Sequence, residues 1–190
     1  SASLSGACGV ATMLATNERV GLVEAAFASA MTGHAAEIND FIPSAFVQPG
    51  PAVVSVALAI AEARGASGAD LLRALITGYE LAGRVPKALG LANLRRAGIA
   101  NHGIGPLFGA AATAAALLRL KPEQIDDVWT FCAQQAGGSW QWLLDVEHIE
   151  KAFVFAGMGA RDGLQAALMV EAGFRGVPKA LDHPAGWLRS

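Results

Sequence analysis

The sequence predicts an all-α domain of many packed helices, and three observations predict it. Apolar and small residues recur at spacings of three and four along most of the chain. No segment alternates apolar and polar residues as a half-buried strand would, and prolines and glycines fall where helical runs would start and stop. No internal repeat is present. The 190 residues are therefore read as one helical domain, residues 1–190, long enough to bury an extensive core.

Each element follows from local chemistry. From Val20 to about Glu37, Leu22, Ala26, Ala30 and Gly33 fall on one side of a helix, a small-residue face suited to close packing. The stretch NDFIPSAFVQPGP opposes helix and strand alike and is predicted to be an ordered loop. Pro51 opens the next helix, whose run VVSVALAIAEAR is apolar on nearly every side and stops at Gly65. Ser67 and Asp70 resemble a capping box ahead of LLRALITGYELAGRV, where Leu71, Leu75, Tyr79 and Leu81 are expected to face the core. Pro86 is expected to end or bend that helix.

Residues 90–106, rich in glycine and interrupted by Asn101, His102 and Pro106, are predicted to be loop, followed by an Ala-rich helix LFGAAATAAALLRL. Lys121 and Pro122 begin another helix, with Glu123 near its positive end and Gly137 and Gly138 as its stop. A loop holding Trp140 and Trp142 comes next, the two rings read as buried area rather than as a site. Lys151 stands in an irregular or weakly helical run before a last helix from about Met158 to Ala172.

The composition is 53% hydrophobic and 16% charged, too few charges to cover the surface of a monomer. Part of the exterior is expected to lie against another domain, a second chain or a further copy, a homodimer being the simplest homo-oligomer. A net charge of −2 without a broad basic field argues against nucleic acid. The short basic cluster Lys87, Arg95 and Arg96 is read as solvated. Cys8 and Cys132 belong to no metal-ligand or disulfide spacing, so no metal is expected and a reducing cytoplasm is the expected location. No long uninterrupted apolar run and no signal-peptide pattern is present, which predicts no membrane partner.

Four segments, taken in order, resemble the MmgE/PrpD family: GHAAEIND, then QPGPAVVSVALAIAEARGASGADLLRALITGYEL, then GIANHGIGPLFGAAATAAALLRL, then EKAFVFAGMGARDGLQAALMVEAGFRGV. The agreement runs from about Ala11 to Val177, and its order and spacing carry the weight. The family includes 2-methylcitrate dehydratase, cis-aconitate decarboxylase and iminodisuccinate epimerase. The resemblance implies the large helical domain of that family, whose members also carry a smaller α/β domain, with polar residues in the cleft between the two.

The family pattern His-x-x-Asp-x-Asp-Asp-Thr is matched by His34, Glu37, Asn39 and Asp40, with Phe41 where Thr is expected. Gln48 replaces the His of the following His-Pro-Gly. Ala100 stands where the second motif has a His, and His102 lies two positions further on. Lys151 matches the Lys of a Thr-Lys pair, with one residue inserted before Arg161.

The resemblance implies a metal-independent, cofactor-free lyase of the dehydratase or decarboxylase type acting on a small di- or tricarboxylate. The glycines, lacking a strand-turn-helix setting, give no nucleotide loop. His102, Lys151, Asp40 and Glu37 are the candidate catalytic residues. His102 is a group titrating near neutrality beside a helix start, and Lys151 a cation for a carboxylate. Glu37 and Asp40, three apart, are expected on one helix face. Gln48, His34, Asn101 and Arg161 are the candidate substrate-binding residues, His34 being read as a hydrogen-bonded packing residue rather than as a catalyst. An epimerase of the same family is one alternative. A non-catalytic helical subunit is the other, favoured by Gln48 and Ala100, which cannot shuttle protons.

Overall fold

A computed structural model describes residues 9–14, 16–184 and 186; Cys8 lies outside them. Among these residues the fold is all-α apart from one small ribbon, in which β1 (Ala11–Thr12) pairs antiparallel with β2 (Arg19–Val20), Ala11 opposite Val20. Eight α-helices follow: α1 (Leu22–His34), α2 (Gly50–Arg64), α3 (Gly68–Leu89), α4 (Leu91–Arg96), α5 (Asn101–Leu117), α6 (Ile125–Gln135), α7 (Ile149–Ala152) and α8 (Met158–Glu171). None of the described helices is long and apolar enough to cross a membrane.

α5 is the axis of the domain. It packs on α3, α8, α2 and α6 and is buried on nearly every side, from Asn101 through Ala115. Its glycines and alanines explain how so many helices reach it: a Cβ on Gly109 would lie 2.9 Å from the Gly78 carbonyl oxygen of α3. On the opposite side, a Cβ on Gly163 of α8 would lie 2.5 Å from the Leu107 carbonyl oxygen. Backbones this close leave room only for hydrogen at these positions, and dispersion contacts accumulate along the crossings.

The predicted starts and stops hold where side chains and backbone are self-sufficient. Ser67 accepts the Asp70 N–H at 3.1 Å and its hydroxyl donates to the Asp70 carboxylate at 2.8 Å, so α3 carries its own cap. Gly65 ends α2 in the left-handed region at φ 64°. α1 buries Ala25, Ala26, Ser29 and Ala30; of the side expected of it, Ala26 and Ala30 are buried, Leu22 is half-buried and Gly33 is exposed.

Four expectations are corrected or sharpened by tertiary contacts. First, α5 begins at Asn101 rather than after Pro106, because Gly103 and Gly105 permit close packing instead of making turns: a Cβ on Gly103 would meet Met158 at 2.9 Å. Second, α3 runs past Pro86 to Leu89. Pro86 has no N–H to give the Ala82 carbonyl, and Gly105 of α5 approaches that oxygen so closely that a Cβ there would sit 2.8 Å away. Third, Leu71, Leu75 and Leu81 pack half-buried against the core as expected, with Tyr79 beside them, but the fully buried positions of α3 include Ala74, Gly78, Ala82 and Val85, since small residues fit best against α5. Fourth, of the two readings of the run at Lys151 the structure has the helical one, and α7 continues through a wide π turn, Phe153–Gly157, into α8.

Candidate active site

The π turn places Phe155 under the start of α5, and the candidate residues gather on its ring. The imidazole of His102 stacks on Phe155 at 4.0 Å between centroids, nearly parallel at 10°. His34, at the end of α1, meets the same ring edge-on at 5.2 Å. The Lys151 ammonium lies over it at 5.7 Å and over Trp142 at the same distance. Trp140, Trp142 and Phe46 complete a ring wall around His102 at 5.7, 5.3 and 5.4 Å.

Local hydrogen bonds hold this wall. The Asn101 amide donates to the Phe46 and Ala45 carbonyls, tying the turn between the bridged residues Ile42 and Val47 to the start of α5. The Ala100 N–H donates to the Gly138 carbonyl at 2.9 Å, and the Trp140 indole donates to the Ile99 carbonyl at 3.1 Å. These bonds bring the tryptophan loop over His102.

Burial dominates the electrostatics. His102 is only 3% exposed, and burial, the Lys151 charge and the neighbouring His34 push its ring down to about 4. Burial also holds His34 below the ordinary histidine range, Glu37 and Gln48 partly offsetting it. The His102 imidazole is therefore neutral at pH 7. Neither nitrogen of His102 or of His34 makes a hydrogen bond of good geometry, and the Gln48 amide oxygen and Trp142 indole N–H are likewise buried without a partner. Unpaired buried polar atoms are costly, and here several are concentrated around one ring.

At the edge of the cluster Glu37 bridges two cations. Its carboxylate accepts from the Lys151 ammonium at 2.5 Å and pairs with Nδ1 of His148, and these two partners hold it below the usual carboxylate range. Lys151 is 19% exposed. Its backbone N–H donates to Asp145 at 2.9 Å, which anchors α7.

The remaining candidates are held in other contacts. α1 ends at His34, and Glu37 turns away with left-handed backbone at φ 52°, so Glu37 and Asp40 do not share a helix face. Asp40 instead accepts the Gly50 N–H at 3.0 and 3.2 Å, satisfying the positive end of α2. It lies beside the Tyr79 hydroxyl, which burial and the Asp40 charge push up to about 12. The Asn101 amide is engaged with backbone carbonyls. Arg161 pairs with Asp162 at 2.6 Å and lies over Phe153 at 5.6 Å, apart from the histidines. A groove of about 860 Å³, lined by residues including Ile42, Leu72, Ile76, Tyr79, Arg84 and Lys87, contains none of the Phe155 cluster.

His148, Phe46 and Phe155 escaped the sequence reading. His148 had one usable signal, its place three residues before Lys151 and hence one helical turn away. The aromatic residues had none, because rings at helical spacing fill any core.

The helical domain thus seats two histidines and a lysine around one phenylalanine at its edge. Its sequence matches the MmgE/PrpD N-terminal domain over residues 2–190, and the chain belongs to the MmgE/PrpD family. It is 30% identical over 190 residues to a cis-aconitate decarboxylase-like protein, oryM, of Aspergillus oryzae, covering 94% of this chain and 38% of that protein. It is 29% identical over 193 residues to a cis-aconitate decarboxylase of Aspergillus terreus, covering 95% and 37%. The chain thus spans less than two fifths of the length of these relatives.

Proposed function

We propose that this chain is the helical part of a lyase acting on a small di- or tricarboxylate by decarboxylation or dehydration. The observation that carries the reading is the convergence of His34, His102 and Lys151 on Phe155, with both ring nitrogens of His102 left without a hydrogen-bond partner. Groups so placed suit a ligand that supplies the missing partners. The names of the relatives favour the decarboxylase branch.

In this reading Lys151 takes a substrate carboxylate by a charge-assisted hydrogen bond, strengthened by the surrounding rings, which keep water away. Breaking a C–C or C–H bond beside a carboxylate leaves an electron pair that needs a nearby positive charge, and Lys151 is that charge. His102, neutral at pH 7, is a proton acceptor, and His34 with Gln48 orients polar groups of the substrate. Asp40 and Asn101 shape the wall through α2 and the Phe46 turn, and Arg161 steadies the π turn through Phe153. Residues 1–190 act as one helical domain whose second wall comes from a further domain, a second chain or another copy. Epimerisation uses the same charge stabilisation and is the alternative reaction.

The test uses the native assembly purified from its source cells. Carbon dioxide release from cis-aconitate and loss of water from 2-methylcitrate are measured, with and without Lys151→Ala. Turnover that falls at least about 10²-fold in the variant supports the reading. An intact assembly that turns over no small di- or tricarboxylate overturns it in favour of the non-catalytic helical subunit, a role suited to the sealing of His102 beneath its ring wall.

A further inference from the structure

We propose that His148, held by the Glu37 carboxylate, is the proton donor of this site, a role that rests on the lyase reading above. His34 and His102 are 1% and 3% exposed, sealed behind aromatic rings, whereas the His148 side chain is 52% exposed at the cluster's outer edge. It is the histidine of this cluster that a proton from solvent reaches directly.

Its orientation is set by an arrangement that costs free energy. Glu37 and His148 both have left-handed backbone, at φ 52° and 61°, although neither is glycine. They lie 111 residues apart in sequence, and they meet through the Glu37 carboxylate and the His148 Nδ1. Two such residues meet here beside the same lysine, and left-handed backbone outside glycine collects at functional sites.

The chemistry of the pair follows from the atoms engaged. A carboxylate bound at Nδ1 fixes the N–H on that nitrogen and leaves Nε2 as the working atom. The same carboxylate binds the Lys151 ammonium, so donor and carboxylate-binding cation are kept side by side. The charged group on the ring is Glu37 from the loop after α1, which also binds Lys151 from α7, while Asp145, Glu147 and Glu150 flank His148 in its own loop and helix start.

In decarboxylation the bond between the substrate carbon and its carboxylate breaks, and carbon dioxide leaves. The electron pair remains on the carbon, spread toward a second carboxylate held by Lys151. That carbon then takes the proton from Nε2 of the protonated ring. The neutral imidazole that remains, its Nδ1–H still on Glu37, is reprotonated by solvent.

His148→Gln in the native assembly tests this. The expected result is a fall in kcat of about 10²–10⁴-fold with KM little changed, and loss of one limb of the kcat pH profile. Added imidazole should restore part of the rate to His148→Ala. Should His148→Gln not assemble, Glu37→Gln, which keeps the ring and weakens its hold, should displace that same limb. A wild-type rate and pH profile in the assembled His148 variant, or an unmoved limb in Glu37→Gln, overturns the donor role and leaves the lyase reading standing. A wild-type assembly without turnover overturns both.

Discussion

Replacing His102 by Phe should flatten the acid limb of the protein's stability curve. The native ring is 3% exposed and titrates at about 4, whereas in the unfolded chain it returns to its ordinary value of 6.5. Between those values the unfolded chain binds the additional proton. The stabilisation is therefore complete above the unfolded value and is lost as the pH falls toward the folded one. At about pH 5 the deficit is about 2 kcal/mol, from about 1.5 pH units at about 1.4 kcal/mol each, and at about pH 7.5 it is close to nothing. His102→Phe keeps a planar ring against Phe155 and removes the titration. Urea titrations at the two pH values measure it: the wild type should lose about 2 kcal/mol more than the variant on acidification. His34, held low by the same cause, adds to both proteins and cancels in the comparison. Equal losses would refute the claim that burial keeps His102 neutral, and with it the electrostatic account of the site.

Two further outcomes follow from named contacts. Asp40→Asn should lower the titration midpoint of Tyr79 from about 12 while leaving it above the ordinary value of 10.0, since burial is the larger cause and the Asp40 charge the smaller. Tyr79 is the single tyrosine of the chain, so the phenolate absorbance reports it alone, and an unmoved midpoint would contradict the placement of Asp40. Gly163→Ala puts a methyl 2.5 Å from the Leu107 carbonyl oxygen and 2.8 Å from the Ala111 nitrogen. It should cost about 1–3 kcal/mol in a urea titration, and a neutral result would mean that α5 and α8 can separate without loss.

What was legible in the sequence was local. Ser67 with Asp70, Pro51 and Gly65 act within a few residues of their own backbone, and helix ends of that kind can be read from a string of letters. Gly103 and Gly105 were illegible for the opposite reason. A glycine that makes a turn and one that admits a neighbouring helix look alike, and only Met158 and Ala82, distant in sequence, distinguish them. The stripe on α3 was read in part: Leu71, Leu75 and Leu81 do pack against the core, but the nearness of α5 gives its fully buried positions to Ala74 and Gly78.

The site divides similarly. His102 and Lys151 announce themselves by residue type, and the resemblance points to their neighbourhood. Their meeting on Phe155 depends on the Asn101 amide, the Trp140 indole and the π turn acting together. The divergence of Glu37 from Asp40 rests on a left-handed residue that no local pattern demanded.

That π turn also bears on how the site is aimed. Adding one residue to a regular helix rotates everything beyond it by about 100°, whereas a turn closed five residues apart absorbs the extra residue within itself. The wide turn Phe153–Gly157 lies between Lys151 and Arg161, the stretch in which the resemblance to the family implies one additional residue. The buried side of α8, with Ala160, Leu164 and Ala167, stays on the core while Lys151 stays on Phe155. Removing one residue there would swing the ammonium off the ring by about a quarter turn and leave α8 where it is. A change of length in this stretch redirects the site and spares the fold.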